Sequence, residues 1–375
     1  MTASVSSPPL SATPLAVALG CAPLAACRGA LSPQRLDAPQ REWSALTSAA
    51  ALHDLGWMRR VAVRGEDRFR WLSGMVTNTV NDLGANAGAW NLVLNAQGRI
   101  QGELYVWREG CGQQSDSLEL EIAADQYEKL LAHFDRFIIM DDVALLPLAE
   151  ESALGLAGPQ AARVLEKLGL PPLPEALTSL RAEWNGQPLL VRRGYGLLVE
   201  HYALWVATEA ISALWAALEA AGATPVGVAA LDALRVAEAI PAYGVDMVER
   251  DLPQETAQVR ALHFTKGCYL GQEIVERIRS RGSVHRHLRP LGLHGPLPAP
   301  GTELSFTNAA GAEANAGAVT SAVELPDGRR LALAMMRAEA ELHPQPFPYT
   351  AEGGAGYAHV MKMPPDFVAA DLQSK

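Results

Sequence analysis

The 375-residue chain holds only four cysteines, Cys21, Cys27, Cys111 and Cys268, and no two of them form a C-x-x-C pair. Its histidines do not cluster at zinc-ligand spacing either. Neither a disulfide framework nor a zinc site is expected, and the pattern suits a reducing, cytoplasmic setting. Positive charge is also in deficit, with 31 Lys and Arg against 41 Asp and Glu for a net charge of -10. That balance argues against broad electrostatic binding to nucleic acid or anionic membrane, although a local basic patch can still hold a phosphate. Long apolar runs are missing as well. No stretch approaches the roughly 18 uninterrupted apolar residues of a membrane span, so a soluble protein with no membrane partner is expected.

Near the start, PLAVALGCAPLAAC superficially resembles an export segment, and Leu24-Ala-Ala-Cys27 a lipoprotein cleavage site. No Lys or Arg precedes Arg28, however, and Pro14 and Pro23 interrupt the apolar run, so residues 1–44 read as a partly ordered arm. What is present in quantity is apolar residues, 49% of the chain. They suffice for a sizeable core divided among two or three units.

The pattern after Trp57 is that of an α+β unit over 45–150. MRRVAVRG alternates as a strand, and EDRFRWLSGMV has helical spacing at Phe69, Leu72 and Val76. WNLVLNAQGRIQGELYVW reads as two strands around Gln97-Gly98, LELEIAA as a third, QYEKLLAHFDRF as a helix, and FIIMDDVALLPL as an apolar strand pair. A similar order recurs over 151–284, with helices in GPQAARVLEKLGL and ATEAISALWAALEAAG. Residues 285–375 turn to short strands, with a hairpin at Asp327-Gly328, and predict a small β-barrel and tail. GGAG at 353–356 reads as a loop, since no helix follows it.

One segment invites chemistry. In FTKGCYLGQEIVERIRSR, Leu270, Ile274 and Ile278 lie four apart, which predicts an amphipathic helix from about Tyr269 to Arg281, stopped by Gly282. Cys268 then sits at the helix N-terminal edge, where first-turn amides and nearby Lys266 favour a thiolate. A lone cysteine in a large domain is ordinarily a small buried hydrophobe. The nearest histidines in sequence, His263, His285 and His287, do not by position define a Cys–His pair. The arginines Arg277, Arg279, Arg281, Arg286 and Arg289 could clamp carboxylates or phosphates, or simply form a solvated face.

Lys266-Gly-Cys-Tyr-Leu-Gly-Gln-Glu273, followed by Arg277 and Ser280-Arg-Gly282, resembles the signature of the YgfZ family of folate-binding proteins. LDALRVAEAIPAYGVDM and LPQET upstream, WLSGMVTNTVNDL with NAQGRI, and GAVTS near the end resemble the same family's other blocks, covering about residues 45 to 340 in order. The resemblance implies the architecture of the glycine-cleavage aminomethyltransferase: three domains in a ring around a folate, two of them α+β and the third a small β-barrel. The first unit would bind folate and the signature segment would return to it.

The resemblance further implies tetrahydrofolate as cofactor, and a role in making or maintaining iron–sulfur enzymes, including a tRNA-modifying methylthiotransferase. Iron–sulfur proteins or their assembly factors would be partners and any effect on tRNA indirect. Cys268, beside Lys266, would be the functional thiol. Arg235, Trp57, Glu103, Glu238 and Tyr269 would contribute to the folate site. Two departures separate the chain from the transferases: their paired aspartates read Gly102-Glu103 here, and Ala203 stands near the position of their acceptor glutamate, with Glu200 nearby. Folate-linked aminomethyl transfer or demethylation is accordingly the alternative reading, and whether the chain is an enzyme is open at this level.

Overall fold

Alternation along the strands decides the architecture. In the strand Ile100–Cys111, Leu104 and Val106 enter an apolar core with Val61, Val63, Leu118 and Leu120. The two-residue period therefore puts Glu103, Tyr105, Trp107 and Glu109 on the opposite face, away from that core. A computed structural model describes residues 9–20, 23–111, 114–344 and 346–362.

Eleven strands form one sheet whose two halves join through a single bridge, Thr178 to Ala87. One half holds, in spatial order, Ala87–Leu94, Ile100–Cys111, Gln114–Ala123, Met58–Arg64 and Ala144–Pro147. The other holds Thr224–Pro225, Ala51–Asp54, Glu151–Ala157, His201–Ala207, Gln187–Arg193 and Thr178–Trp184. Helices Arg68–Met75 and Ala124–Asp135 bury Leu72, Met75, Leu130 and Phe134 against the first half. Helices Ala161–Lys167 and Ile211–Ala220 bury Leu165, Ile211, Leu214 and Trp215 against the second. Six antiparallel strands between Arg286 and Val360 form the C-terminal sheet, whose first and last members, Glu303–Thr307 and Phe347–Ala351, approach each other and nearly close a barrel. The architecture is thus the expected α+β pair with a small β-barrel.

Several local expectations differ. Residues 137–143 form no strand: Ile139 and Met140 are 81% and 93% exposed, and only Ala144–Pro147 pairs, at the sheet edge. An apolar run has no strand tendency of its own without a facing layer. Strand Ala51–Asp54 pairs with Glu151–Ala157 and so enters the second half-sheet instead of the first. In GGAG, Gly353 and Gly354 make the turn of a hairpin whose second strand is Gly354–Val360. The N-terminal arm, over its described residues, is folded. Helix Pro14–Leu19 is capped by Thr13, and Thr13 and Ser32 both donate hydroxyls to the buried Asp54 carboxylate at 2.5 Å.

The two half-sheets meet through polar faces, with the Arg192 guanidinium at the centre of the seam. Arg192, 1% exposed, donates to Glu109 at 2.5 Å, Glu119 at 2.5 Å and Glu121 at 2.8 Å. Arg60 adds a second buried cation on Glu119 at 2.6 Å, and Arg181 a third contact at 2.7 Å. Trp107 and Trp205 donate their indole N–H groups to Glu121. Burial pushes the Glu119 carboxyl up, but Arg192, Arg60 and Arg181 outweigh it and hold the group down to about 2. Replacing Arg192 by Met leaves three buried carboxylates short of their shared partner, so Arg192→Met should lose about 3–5 kcal/mol in urea unfolding. A loss under about 1 kcal/mol would mean that the seam tolerates its own disruption.

His53 supplies an acid sensitivity. Its ring lies so close over Gly155 that a Cβ there would fall 1.8 Å from His53 Cε1. Burial, with His201 nearby, depresses its pKa to about 3. An unfolded chain takes up this proton near 6.5 and the folded chain resists it until about 3, so this contribution falls as pH drops through that interval. We expect up to about 1.4 kcal/mol lost per pH unit within it, and His53→Gln should flatten the decline between pH 6 and 5 in urea melts. An unchanged slope in the variant would assign the acid sensitivity to other groups.

Candidate functional site

Glu103 lies where four parts of the chain converge. Its carboxylate accepts the Arg28 Nη2 donor at 3.1 Å, the Trp90 indole N–H at 3.1 Å and the Tyr243 backbone N–H at 3.1 Å. Its own N–H donates to Gln126 Oε1 at 2.8 Å. Arg28 comes from the N-terminal arm and also holds Asp125 at 3.2 Å. A close approach fixes the arm here, since a Cβ on Gly29, at φ +90°, would lie 2.4 Å from the Asp125 nitrogen.

Beyond Trp90 lies Arg260, its guanidinium 5.0 Å from the Trp90 ring centroid and 4.2 Å from that of Tyr195. Tyr105 is the next residue along the Glu103 face. Burial raises its phenol well above the usual range, Arg260 opposing and Glu103, Glu121 and Glu238 reinforcing that shift. The site therefore combines one carboxylate, three aromatic rings and two cations, Arg28 and Arg260. Sequence reasoning found Glu103 but not Arg28, Trp90, Tyr105, Tyr195 or Arg260. Tyr105 was legible in principle as the residue two beyond Glu103. Tyr195 and Arg260 carry no sequence signal, because their neighbourhood arises only from the fold.

Buried donors around this site without an acceptor among the described residues include Trp57 Nε1, Gln126 Nε2 and Arg260 Nε. Trp57 stands beside Arg28, 5.8 Å from guanidinium to ring centroid. Such unsatisfied groups are costly unless a ligand or water meets them. With the flanking aromatic rings they fit a flat, heteroatom-rich, anionic ligand. Gly102 points the other way: a Cβ there would meet Gln126 Oε1 at 2.8 Å and Leu130 Cδ2 at 2.9 Å. A side chain beside Glu103 would displace the ends of the Gln126 and Leu130 side chains. The open cleft of about 450 Å³ lined by Thr13, Gly29, Arg59, Arg60 and Glu151 shares no residue with the Glu103, Trp90 and Arg260 group.

Arg235 and Glu238 are occupied elsewhere. All five Arg235 N–H donors are used, on Asp232, Ile240 O, Asp246 and Ser321. It therefore braces the helix Val228–Ala237 against the barrel and has no donor left for a ligand. Glu238 accepts the backbone N–H groups of Leu197, Leu198 and Val199 and touches His201 Nε2 at 3.0 Å. Burial would raise its pKa, but His201 and those amides outweigh it and lower it. Its effect is to fix the loop that carries Tyr195.

The signature segment packs on the first half. Gly98 and Gly271 both have positive φ, and a Cβ on Gly271 would fall 2.5 Å from Asn95 O and 3.0 Å from Gly98 Cα. NAQGRI and KGCYLGQE thus meet glycine to glycine, the close approach that residues with a side chain deny. Lys266 donates to the Ser73 and Val76 carbonyls at 2.6 and 2.5 Å, closing the end of helix Arg68–Met75, and burial pushes its pKa down to about 7. Tyr269 is 7% exposed in an apolar cluster with Trp90, Leu92 and Met247, and its hydroxyl lacks a partner. Leu270 N–H donates to Gly74 O at 2.9 Å.

Cys268, between these anchors, is exposed and free. The helix is shorter than expected, Gln272–Arg281 with Gly271 as its left-handed cap. Cys268 consequently lies outside the first turn, where the helix-end field has faded. Its distinguishing feature is presentation: fixed neighbours hold an exposed thiol at one point of the surface. Among the described residues no group of three or more His, Cys, Asp or Glu could hold a metal ion, and no described helix is long and apolar enough to cross a membrane.

Residues 32–266 match the family described as the GCVT N-terminal domain. An aminomethyltransferase of Rubrobacter xylanophilus is 31% identical over 307 residues, covering 80% of this chain and 79% of that protein. The tRNA-modifying protein YgfZ of Cronobacter sakazakii is 28% identical over 309 residues, covering 77% and 90%. The crystal structure of the glycine cleavage system aminomethyltransferase T from Bartonella henselae superposes with a TM-score of 0.83 at 20% identity, covering 95% of this chain and 98% of that one.

Proposed function

The chain belongs to the family of the GCVT N-terminal domain, whose cofactor is tetrahydrofolate, and from that premise we propose a folate-binding accessory protein that supports assembly or repair of iron–sulfur enzymes. Tetrahydrofolate supplies N5 and N10, the nitrogens on which one-carbon units are carried. Glu103, Trp57, Trp90 and Tyr105 would hold it. Glu103 offers a carboxylate to ring N–H groups, and the aromatic rings offer stacking surface. Arg28 holds Glu103 in place, while Arg235, Glu238 and Tyr269 position the walls.

Cys268 carries the functional reading. Its exposure between Lys266 and Tyr269, each tied into the first half, supports a thiol held ready for a partner. In this reading the thiol acts on, or transiently ligates, iron–sulfur clients, among them methylthiotransferases that modify tRNA. Lys266 shapes the segment by holding two carbonyls. An effect on tRNA then follows from the client and needs no contact with nucleic acid, consistent with the net charge of -10.

Aminomethyl transfer to tetrahydrofolate is the second reading. It is favoured by Glu103 at the site and by relatives named aminomethyltransferase. Gly102 weighs against it, because it supplies no second carboxylate where that chemistry in the transferases is expected to use one.

In cells lacking the native protein, Cys268→Ser is expected to leave a methylthiotransferase as poorly active as no protein at all, measured as methylthiolated tRNA. The variant should keep the native thermal unfolding curve, since the thiol is exposed. Full tRNA methylthiolation with Cys268→Ser would remove the thiol from the function. Formation of methylene-tetrahydrofolate by the purified protein from an aminomethyl donor would move the assignment to the second reading.

A further inference from the structure

Several cations near the candidate site are held by carboxylates, and Lys266 by two backbone carbonyls. Arg28 holds Glu103 and Asp125, Arg192 holds three glutamates, and Arg235 holds Asp232 and Asp246. Arg260 has no carboxylate and no hydrogen-bond acceptor for its side chain among the described residues, and its Nε is buried. Two aromatic rings lie against it, Trp90 at 5.0 Å and Tyr195 at 4.2 Å from guanidinium carbon to ring centroid. Its N–H groups point outward in the plane of the guanidinium, where an anion can meet them edge-on.

The position is also prepared in advance. Asn78 Nδ2 donates to Arg260 O at 2.8 Å and to Trp90 O at 3.0 Å, and Thr77 Oγ1 donates to Ala261 O at 2.7 Å. These bonds tie the short helix Val259–Ala261 to the strand Ala87–Leu94, so the cation and the Glu103-linked indole move as one piece. A fixed guanidinium fork with free in-plane donors is suited to a planar, bidentate anion, and a carboxylate matches it.

Resting on the folate reading above, we infer that Arg260 receives a carboxylate of the folate glutamate tail and so sets the preference for glutamate-bearing folates. Glu103, the acceptor of the Trp90 indole N–H, would repel that carboxylate and so favours its placement at Arg260. Arg260 thus orients the ligand as well as adding affinity.

The test compares tetrahydrofolate with tetrahydropteroate, which has the same pteridine and aminobenzoate but no glutamate, by anaerobic titration calorimetry on the full chain. Native protein should prefer tetrahydrofolate. Arg260→Gln should weaken tetrahydrofolate about tenfold or more, as loss of a charge-assisted pair does, and leave tetrahydropteroate unchanged, which also reports an intact site. Arg260→Lys should fall between, keeping the charge but not the fork. Equal weakening of both ligands by a folded Arg260→Gln, or no weakening of either, would overturn the inference while leaving folate binding in place. If Arg260→Gln loses its cooperative thermal transition, the decision passes to Arg260→Lys, where unequal losses support the inference and equal ones overturn it. Native protein that binds neither ligand would sink the folate reading itself.

Discussion

The buried ion-pair cluster centred on Arg192 sets the geometry on which the candidate site depends. Among the described residues the half-sheets pair at a single position, Thr178 with Ala87, so the ladder itself barely fixes their relative placement. Arg192 reaches across and binds Glu109, Glu119 and Glu121, which alternate with core residues on neighbouring strands. Ion pairs so deeply buried add little net stability over an apolar seam, but they tolerate one arrangement and penalise others. The same strand that carries Glu109 into the seam carries Tyr105 and Glu103 beyond it, so the seam and the site share a register.

The barrel and the signature segment are added to this frame by short polar ties. The loop after the helix Val228–Ala237 gives its Tyr243 N–H to Glu103, and Asp246 accepts from Arg235, Thr320 and Ser321. One loop thereby links the first half, the helix and the barrel. Gly98 and Gly271 do the same for the signature segment, and their contact gives a physical reason for NAQGRI and KGCYLGQE to occur in one chain. Exposure of Cys268 follows from the ties on either side of it.

Much of this was legible in the sequence where local pattern decides structure. Strand alternation around Glu103, the hairpin at Asp327-Gly328 and the helices with Leu130 or Leu214 on one face all follow from periodicity. The start of the signature helix was misplaced because Leu270, Ile274 and Ile278 continue a helical period through Gly271, whose left-handed backbone interrupts it. Arg235 matched a ligand contact by position, yet Asp246 and Ser321, distant in sequence, claim its donors. Arg28 was hidden in an arm whose Ala, Pro and Ser content suggests little structure. Its order comes from Asp54 and Asp125, which composition does not report.

The central claim is that a folate sits where the arm, both half-sheets and the Pro241–Met247 loop converge. The direct measurement is a crystal structure of the chain soaked with tetrahydrofolate. The account predicts density for the ligand bordered by Glu103, Trp90, Tyr105 and Arg260. Ligand density confined to the cleft lined by Arg59 and Thr13, or none at saturating tetrahydrofolate, would contradict it.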